Sequence, residues 1–163
     1  MVTSLPEELL GQANFLLTLS PNQANLRRAV STAYYALFHL LVRAAATMWT
    51  EPLHQARIAR IFDHDRMKKV SVATIKSQGS ETDSGSAENR NRKEINRVAQ
   101  TFVILQRVRH DADYNLEAPL DPADAKALVE DANEAFVAWD TARNSEAAKE
   151  YLFSMLFKER ERI

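Results

Sequence analysis

Residues 106 to 115 read QRVRHDADYN, placing two arginines, a histidine, two aspartates and a tyrosine at the end of an otherwise apolar run. Such a set makes a solvated helix end, a buried ion pair that holds a core together, or a catalytic or nucleic-acid site. Each helical residue advances by about 100°. Arg109, seven positions after Phe102, therefore points with the apolar stripe, and Asp113 falls on the same face. Arg107 and Asp111 turn outward and His110 lies at the flank. A buried guanidinium without a partner is very costly, so Arg109 requires a carboxylate, carbonyl or phosphate. Asp113 is the nearest carboxylate, although an acid C-terminal to its base is the less favourable helical order. Earlier in the chain Arg28, Thr32, Tyr35 and His39 share one helical face at three-and-four spacing. If these two helices pack side by side, the groups meet Arg109, Asp113 and Tyr114 in one pocket. Such a pocket is either a structural network that sets helix register or a functional site.

The elements that must position these groups read as helices. Ser4 to Glu7 has capping-box spacing ahead of Leu9, Leu10, Ala13, Leu16 and Leu17, which predicts a first helix ending near Leu19. Ser20, Pro21 and Gln23 predict the start of a second, running to about Met48 with Val30, Ala33, Tyr34, Leu37, Phe38, Leu41, Ala45 and Met48 on its core face. A more polar third helix is predicted from Pro52 to about Val70. Ser71 to Asn91, rich in Ser, Gly, Thr and Asn, reads as a mobile loop. A fourth helix follows from about Ala87 to Asp113. Asp121 and Pro122 then open a fifth, with Ala125, Leu128, Val129, Ala132, Phe136 and Trp139 on one face. A last helix over residues 145–163 carries apolar groups on both sides, as expected of one that docks against another subunit or a second part of the bundle. The expected fold is all-α: one domain, an up-and-down bundle of four to five helices with a long loop between helices three and four and an extra C-terminal helix.

Composition narrows the chemistry. With 45% hydrophobic and 26% charged residues but only three glycines and five prolines in 163, the chain suits a helical globular protein. No cysteine is present, which excludes disulfides, thiolate zinc sites and a cysteine nucleophile. The N-terminal MVTSLPEELL lacks the basic start and long apolar run of a secretory signal, and a cytoplasmic location is expected. Ala29 to Met48 has about the length of a membrane span, but His39 and Arg43 within it point to a buried helix and no membrane. The net charge of −1 leaves room for a local basic patch. Arg90, Arg92, Lys93 and Arg97 form such a cluster, either contacting RNA phosphates or solvated beside Glu88 and Glu94.

Other constellations are weaker. Glu51 to His54 has the acid and histidine spacing of di-iron bundles, yet those need two such elements and two more acids. Phe62 to Arg66, FDHDR, reads as a solvated helix face. No glycine-rich phosphate loop or nucleophile elbow occurs, so neither metal nor cofactor is expected. Trp49 and Trp139 read as core or interface residues.

Two blocks carry a resemblance. RRAVSTAYYALFHLLVRAA, Arg27 to Ala45, is similar to the arginine, tyrosine-pair and Phe-His helix of HEPN domains. LQRVRHDADYNLE, Leu105 to Glu117, is similar to their Arg then Ala-Asp-Tyr element, and AKALVEDANEAFVAW, Ala125 to Trp139, resembles their closing helix. The resemblance implies a four- or five-helix bundle, a homodimer, and a polar cleft near the dimer interface. Many members of that family are metal-independent ribonucleases, often toxins accompanied by a small nucleotidyltransferase antitoxin; others are non-catalytic RNA- or nucleotide-binding modules. Arg109 would then be the phosphate-facing cation, with Asp113 and Tyr114 orienting it and Arg28, Tyr35 and His39 forming the opposite wall. Where the nuclease members carry histidine, this chain carries Tyr114, and tyrosine, with an ordinary pKa of about 10, moves protons poorly near neutral pH. His39 is the residue that would stand in for it.

Overall fold

The computed structural model of the chain describes residues 3–77 and 85–157, and among these it contains seven helices and no strand. The all-α expectation holds, with more helices than the five and a C-terminal one read from the pattern. They are α1 (Leu5–Leu16), α2 (Gln23–Ala46), α3 (Pro52–Ala59), α4 (His64–Ser77), α5 (Ala87–Tyr114), α6 (Pro122–Ala142) and α7 (Glu146–Leu156).

The extra helix arises because the predicted third one breaks at Asp63. Its Oδ1 accepts the backbone N–H groups of Asp65 and Arg66 at 2.8 and 3.1 Å, capping a new helix. Those two bonds hold the Asp63 carboxyl below its usual range. The new helix α4 then runs to Ser77, into the segment expected to be loop. Its hydroxyls are satisfied within the helix: Ser71 Oγ donates to the Met67 carbonyl at 2.7 Å and Thr74 Oγ1 to Val70 at 2.9 Å. Residues 87–91 at the other end of the expected loop belong to α5, and residues 78–84 lie outside the described residues.

Two predicted helix starts differ in detail. Ser4 stands at the N-cap of α1 as predicted but makes no side-chain cap bond, and its buried hydroxyl has no partner among the described residues. At α2 the cap is Asn22 rather than Ser20: Asn22 Oδ1 accepts the Asn25 N–H at 2.9 Å, while the Ser20 carbonyl accepts the Asn25 side-chain amide at 2.8 Å. Gln23 is thereby freed for the loop before α6, donating to the Leu120 carbonyl and accepting its N–H, both at 2.8 Å. The Asp121 cap forms as predicted, accepting from Ala123 at 2.8 Å, and Ser145 caps α7, accepting from Ala148 at 3.2 Å.

The backbone divides into two compact units, Met1–Leu40 with Thr101–Val137, and Leu41–Gln100 with Ala138–Ile163. In the first, Leu26, Val30 and Ala125 are buried together with Leu17, Val108, Leu120 and Leu128 against them. Tyr34, Leu37, Phe102 and Leu105 have no exposed surface, and each such side chain contributes about 1.5–3 kcal/mol. A reciprocal amide pair, Asn14 and Asn133 at 2.9 and 3.0 Å, ties α1 to α6. In the second unit α4 packs against α7 around Met67 and Met155. There the buried Ser71 and Tyr151 hydroxyls meet at 2.7 Å, and Arg66 donates to the Ser154 carbonyl at 3.2 Å.

Helix α2 is long and apolar enough to cross a membrane by length and composition, but 72% of its most apolar window is buried within the protein. It is a core helix, as His39 and Arg43 suggested.

Candidate functional site

The last two turns of α5 bring Arg109 and Asp113 against α2. Arg109 follows Phe102 by two turns, so its stem leaves the core beside the tyrosine pair, and its side chain is 14% exposed. Its guanidinium lies 5.0 Å over the Tyr34 ring and 5.6 Å from that of Tyr35, and the two rings meet edge-on at 5.3 Å. Two aromatic faces thus supply what a carboxylate would otherwise supply, with about 0.5–2 kcal/mol each for such a contact.

The carboxylate contact is loose. Arg109 Nη1 lies 3.6 Å from Asp113 Oδ2, an ion pair beyond hydrogen-bond length, and the Asp113 side chain is 31% exposed. The same Oδ2 accepts from Ser31 Oγ at 3.5 Å. Arg109 Nε is buried with no acceptor among the described residues. The guanidinium is therefore held in place by rings and leaves hydrogen-bonding capacity unused.

The remaining predicted residues divide. Tyr35 belongs to the cluster. Arg28 does not: it is exposed, and the inward arginine is its neighbour Arg27. Arg27 donates to the carbonyls of Ala112, Asn115 and Ala118 at 2.8, 2.9 and 2.7 Å, satisfying chain groups where α5 ends. Tyr114 is 70% exposed and lies against His110, ring centroids 5.1 Å apart. His39 is half-buried beside Phe38, centroids 5.3 Å apart, and burial pushes its pKa down. Arg90, Arg92 and Lys93 stand on the first turns of α5 in the second unit, Arg90 donating to the Gly85 carbonyl at 2.8 Å. Arg90 and Lys93 are exposed, as a phosphate-contacting patch requires.

Ser31 and Arg27 were missed because the polar face was set one residue too far along α2. Ser31 lies four residues after Arg27 and four before Tyr35, but Thr32 lies four after Arg28 as well, so spacing alone does not choose between the two faces. Among the described residues no group of three or more His, Cys, Asp or Glu side chains could hold a metal ion. Glu51 and His54 are both exposed, and Asp63 in FDHDR caps a helix.

What the arrangement can do is hold an anion. A stacked guanidinium and a buried serine hydroxyl are donors that can bind a phosphoryl oxygen, whereas the Asp113 carboxylate, an acceptor only, opposes one. Compared with protein-family models, curated proteins and solved structures, the chain matches none.

Proposed function

We propose that this is a HEPN-like protein that binds RNA or a nucleotide through phosphate at Arg109, in the manner of the family's non-catalytic members. The observation that carries the reading is the Arg109 guanidinium, oriented by Tyr34 and Tyr35 yet without a close acceptor. Tyr114, in the place of the nuclease histidine, lies against His110 and solvent, which favours binding over cleavage. In this reading the protein is a cytoplasmic homodimer, and Arg90, Arg92 and Lys93 add salt-sensitive phosphate contacts. A ribonuclease toxin paired with a nucleotidyltransferase antitoxin is the catalytic form of the same proposal. Incubating purified protein with structured and single-stranded RNA separates the two. Retention of intact RNA, lost in Arg109→Ala, is the expected result; cleavage lost in that variant identifies the toxin. A wild type that neither binds nor cleaves, or a folded Arg109→Ala that acts equally, overturns both.

A second reading is favoured by the 14% exposure of Arg109 and its seat on the fully buried Tyr34: a non-catalytic scaffold in which the cluster braces two helices. It requires Arg109→Ala to lower stability with no change in any RNA binding.

A further inference from the structure

Asp113 occupies its place at the site on poor terms. Its two contacts, 3.6 Å to Arg109 Nη1 and 3.5 Å to Ser31 Oγ, both sit at the outer edge of bonding distance and both fall on the same atom, Oδ2. It stands in the last turn of α5, where the negative end of the helix dipole opposes a carboxylate. It follows its arginine by four residues, the weaker order for such a pair. Its side chain is 31% exposed, so a rotation into water costs little. The two donors are fixed by comparison: Ser31 is 5% exposed within α2, and the Arg109 guanidinium is held by two rings.

We infer that Ser31 and Arg109 form a two-donor anion seat which Asp113 fills in the free protein and which a phosphate takes by displacing it. The inference rests on the phosphate-binding reading above and deepens it by naming Ser31 as the second donor and Asp113 as the residue that sets affinity. A phosphoryl oxygen entering where Oδ2 now lies accepts from the Ser31 hydroxyl and from Arg109, with the shorter, charge-assisted geometry that the carboxylate does not reach. Asp113 then turns outward, and its negative charge beside the bound phosphate keeps affinity modest. The seat selects phosphate on a nucleoside or on an RNA backbone, and rejects the unphosphorylated nucleoside.

The test titrates wild type, Asp113→Asn, Ser31→Ala and Arg109→Ala with adenosine 5′-monophosphate, with a short single-stranded oligouridylate, and with adenosine as the phosphate-free control. Asp113→Asn is expected to tighten binding about two- to fivefold, the scale of one part-screened charge contact. Ser31→Ala is expected to weaken it by a similar factor, Arg109→Ala to abolish it, and adenosine to bind none of the proteins. Tightening toward the monophosphate alone assigns the seat to a terminal phosphate; tightening toward the oligonucleotide assigns it to the backbone. If Arg109→Ala loses binding while Asp113→Asn binds no tighter than wild type, the displacement is wrong and the binding reading stands. If neither wild type nor Asp113→Asn binds either phosphate compound, both fall. Asp113→Ser, shorter and uncharged, repeats the measurement should the asparagine variant fold poorly.

Discussion

The Arg109 guanidinium lies 5.0 Å over the ring of Tyr34, a residue with no exposed surface that itself packs against Phe102 at 5.5 Å between centroids. The charge is thus anchored to the core through a ring face. Arg109→Ala removes that contact and the packing of the stem, and a loss of about 1–3 kcal/mol is expected. The full cost of breaking a buried pair, about 3–5 kcal/mol, does not apply, because Asp113 reaches water. Arg109→Lys keeps the charge but not the planar stack, and falls between. Urea unfolding of the three proteins checks the order; equal midpoints would remove Arg109 from any structural role.

Neighbouring arginines on α2 are expected to differ sharply. Arg27→Ala strips donors from three carbonyls, and a destabilisation of about 1–3 kcal/mol follows, limited by the water that can reach them. Arg28→Ala, at an exposed position, stays within about 0.5 kcal/mol. Thermal melts of the pair decide it, and a larger effect at Arg28 would contradict the assigned register.

Ser71 and Tyr151 make an asymmetric test. The single serine proton goes to the Met67 carbonyl, so the tyrosine must donate to Ser71. Ser71→Ala strands a buried donor and should cost about 1–3 kcal/mol, whereas Tyr151→Phe leaves Ser71 bonded to Met67 and costs about 0.5–1.5 kcal/mol. The double variant is expected to lose less than the sum. Burial also raises the Tyr151 pKa well above the usual phenol range. Its share of stability is complete below about pH 10, where the unfolded phenol is still protonated, and is lost as pH rises beyond it. Unfolding midpoints compared on either side of that pH should show a drop that Tyr151→Phe lacks.

His39 responds in the acid direction. Burial lowers its pKa from the ordinary 6.5, so the unfolded chain takes the proton first as pH falls. Wild-type stability is expected to decline as pH drops below about 6.5, and His39→Gln to decline less. Identical pH profiles would show that the imidazole is solvated alike in both states.

The helices that carry the candidate site were legible where one local device marks an end. Asp121 before Pro122 opens α6, and the apolar stripe through Ile95, Val98 and Phe102 carries α5 to its polar tip. Register on α2 was not legible, for a physical reason. Ser31 and Thr32 are both buried, as are Ala33 and Tyr34, so periodicity assigns the helix no single wet face and cannot separate Arg27 from Arg28. The break at Asp63 was hidden because an aspartate in mixed charge reads equally as a solvated face or a cap. The serine and threonine of α4 looked like loop residues because nothing local announces that their hydroxyls return to carbonyls one turn back. At the site itself, the Arg109 and Asp113 pairing followed from four-residue spacing, while the tyrosine faces that hold the guanidinium depend on tertiary packing.

Arg27 recognises the end of α5 and the loop beyond it entirely through main-chain oxygens. Such a latch is indifferent to the side chains of the segment it grips. Ala118, exposed and gripped only through its carbonyl, can be exchanged freely as long as the chain keeps its path, whereas Asn115 also accepts the Glu117 N–H on its Oδ1 at 3.3 Å and holds the turn; a library randomised at Ala118 should return many folded clones. Variation is tolerated there at the threshold of the anion seat, the place where altered specificity would be sought.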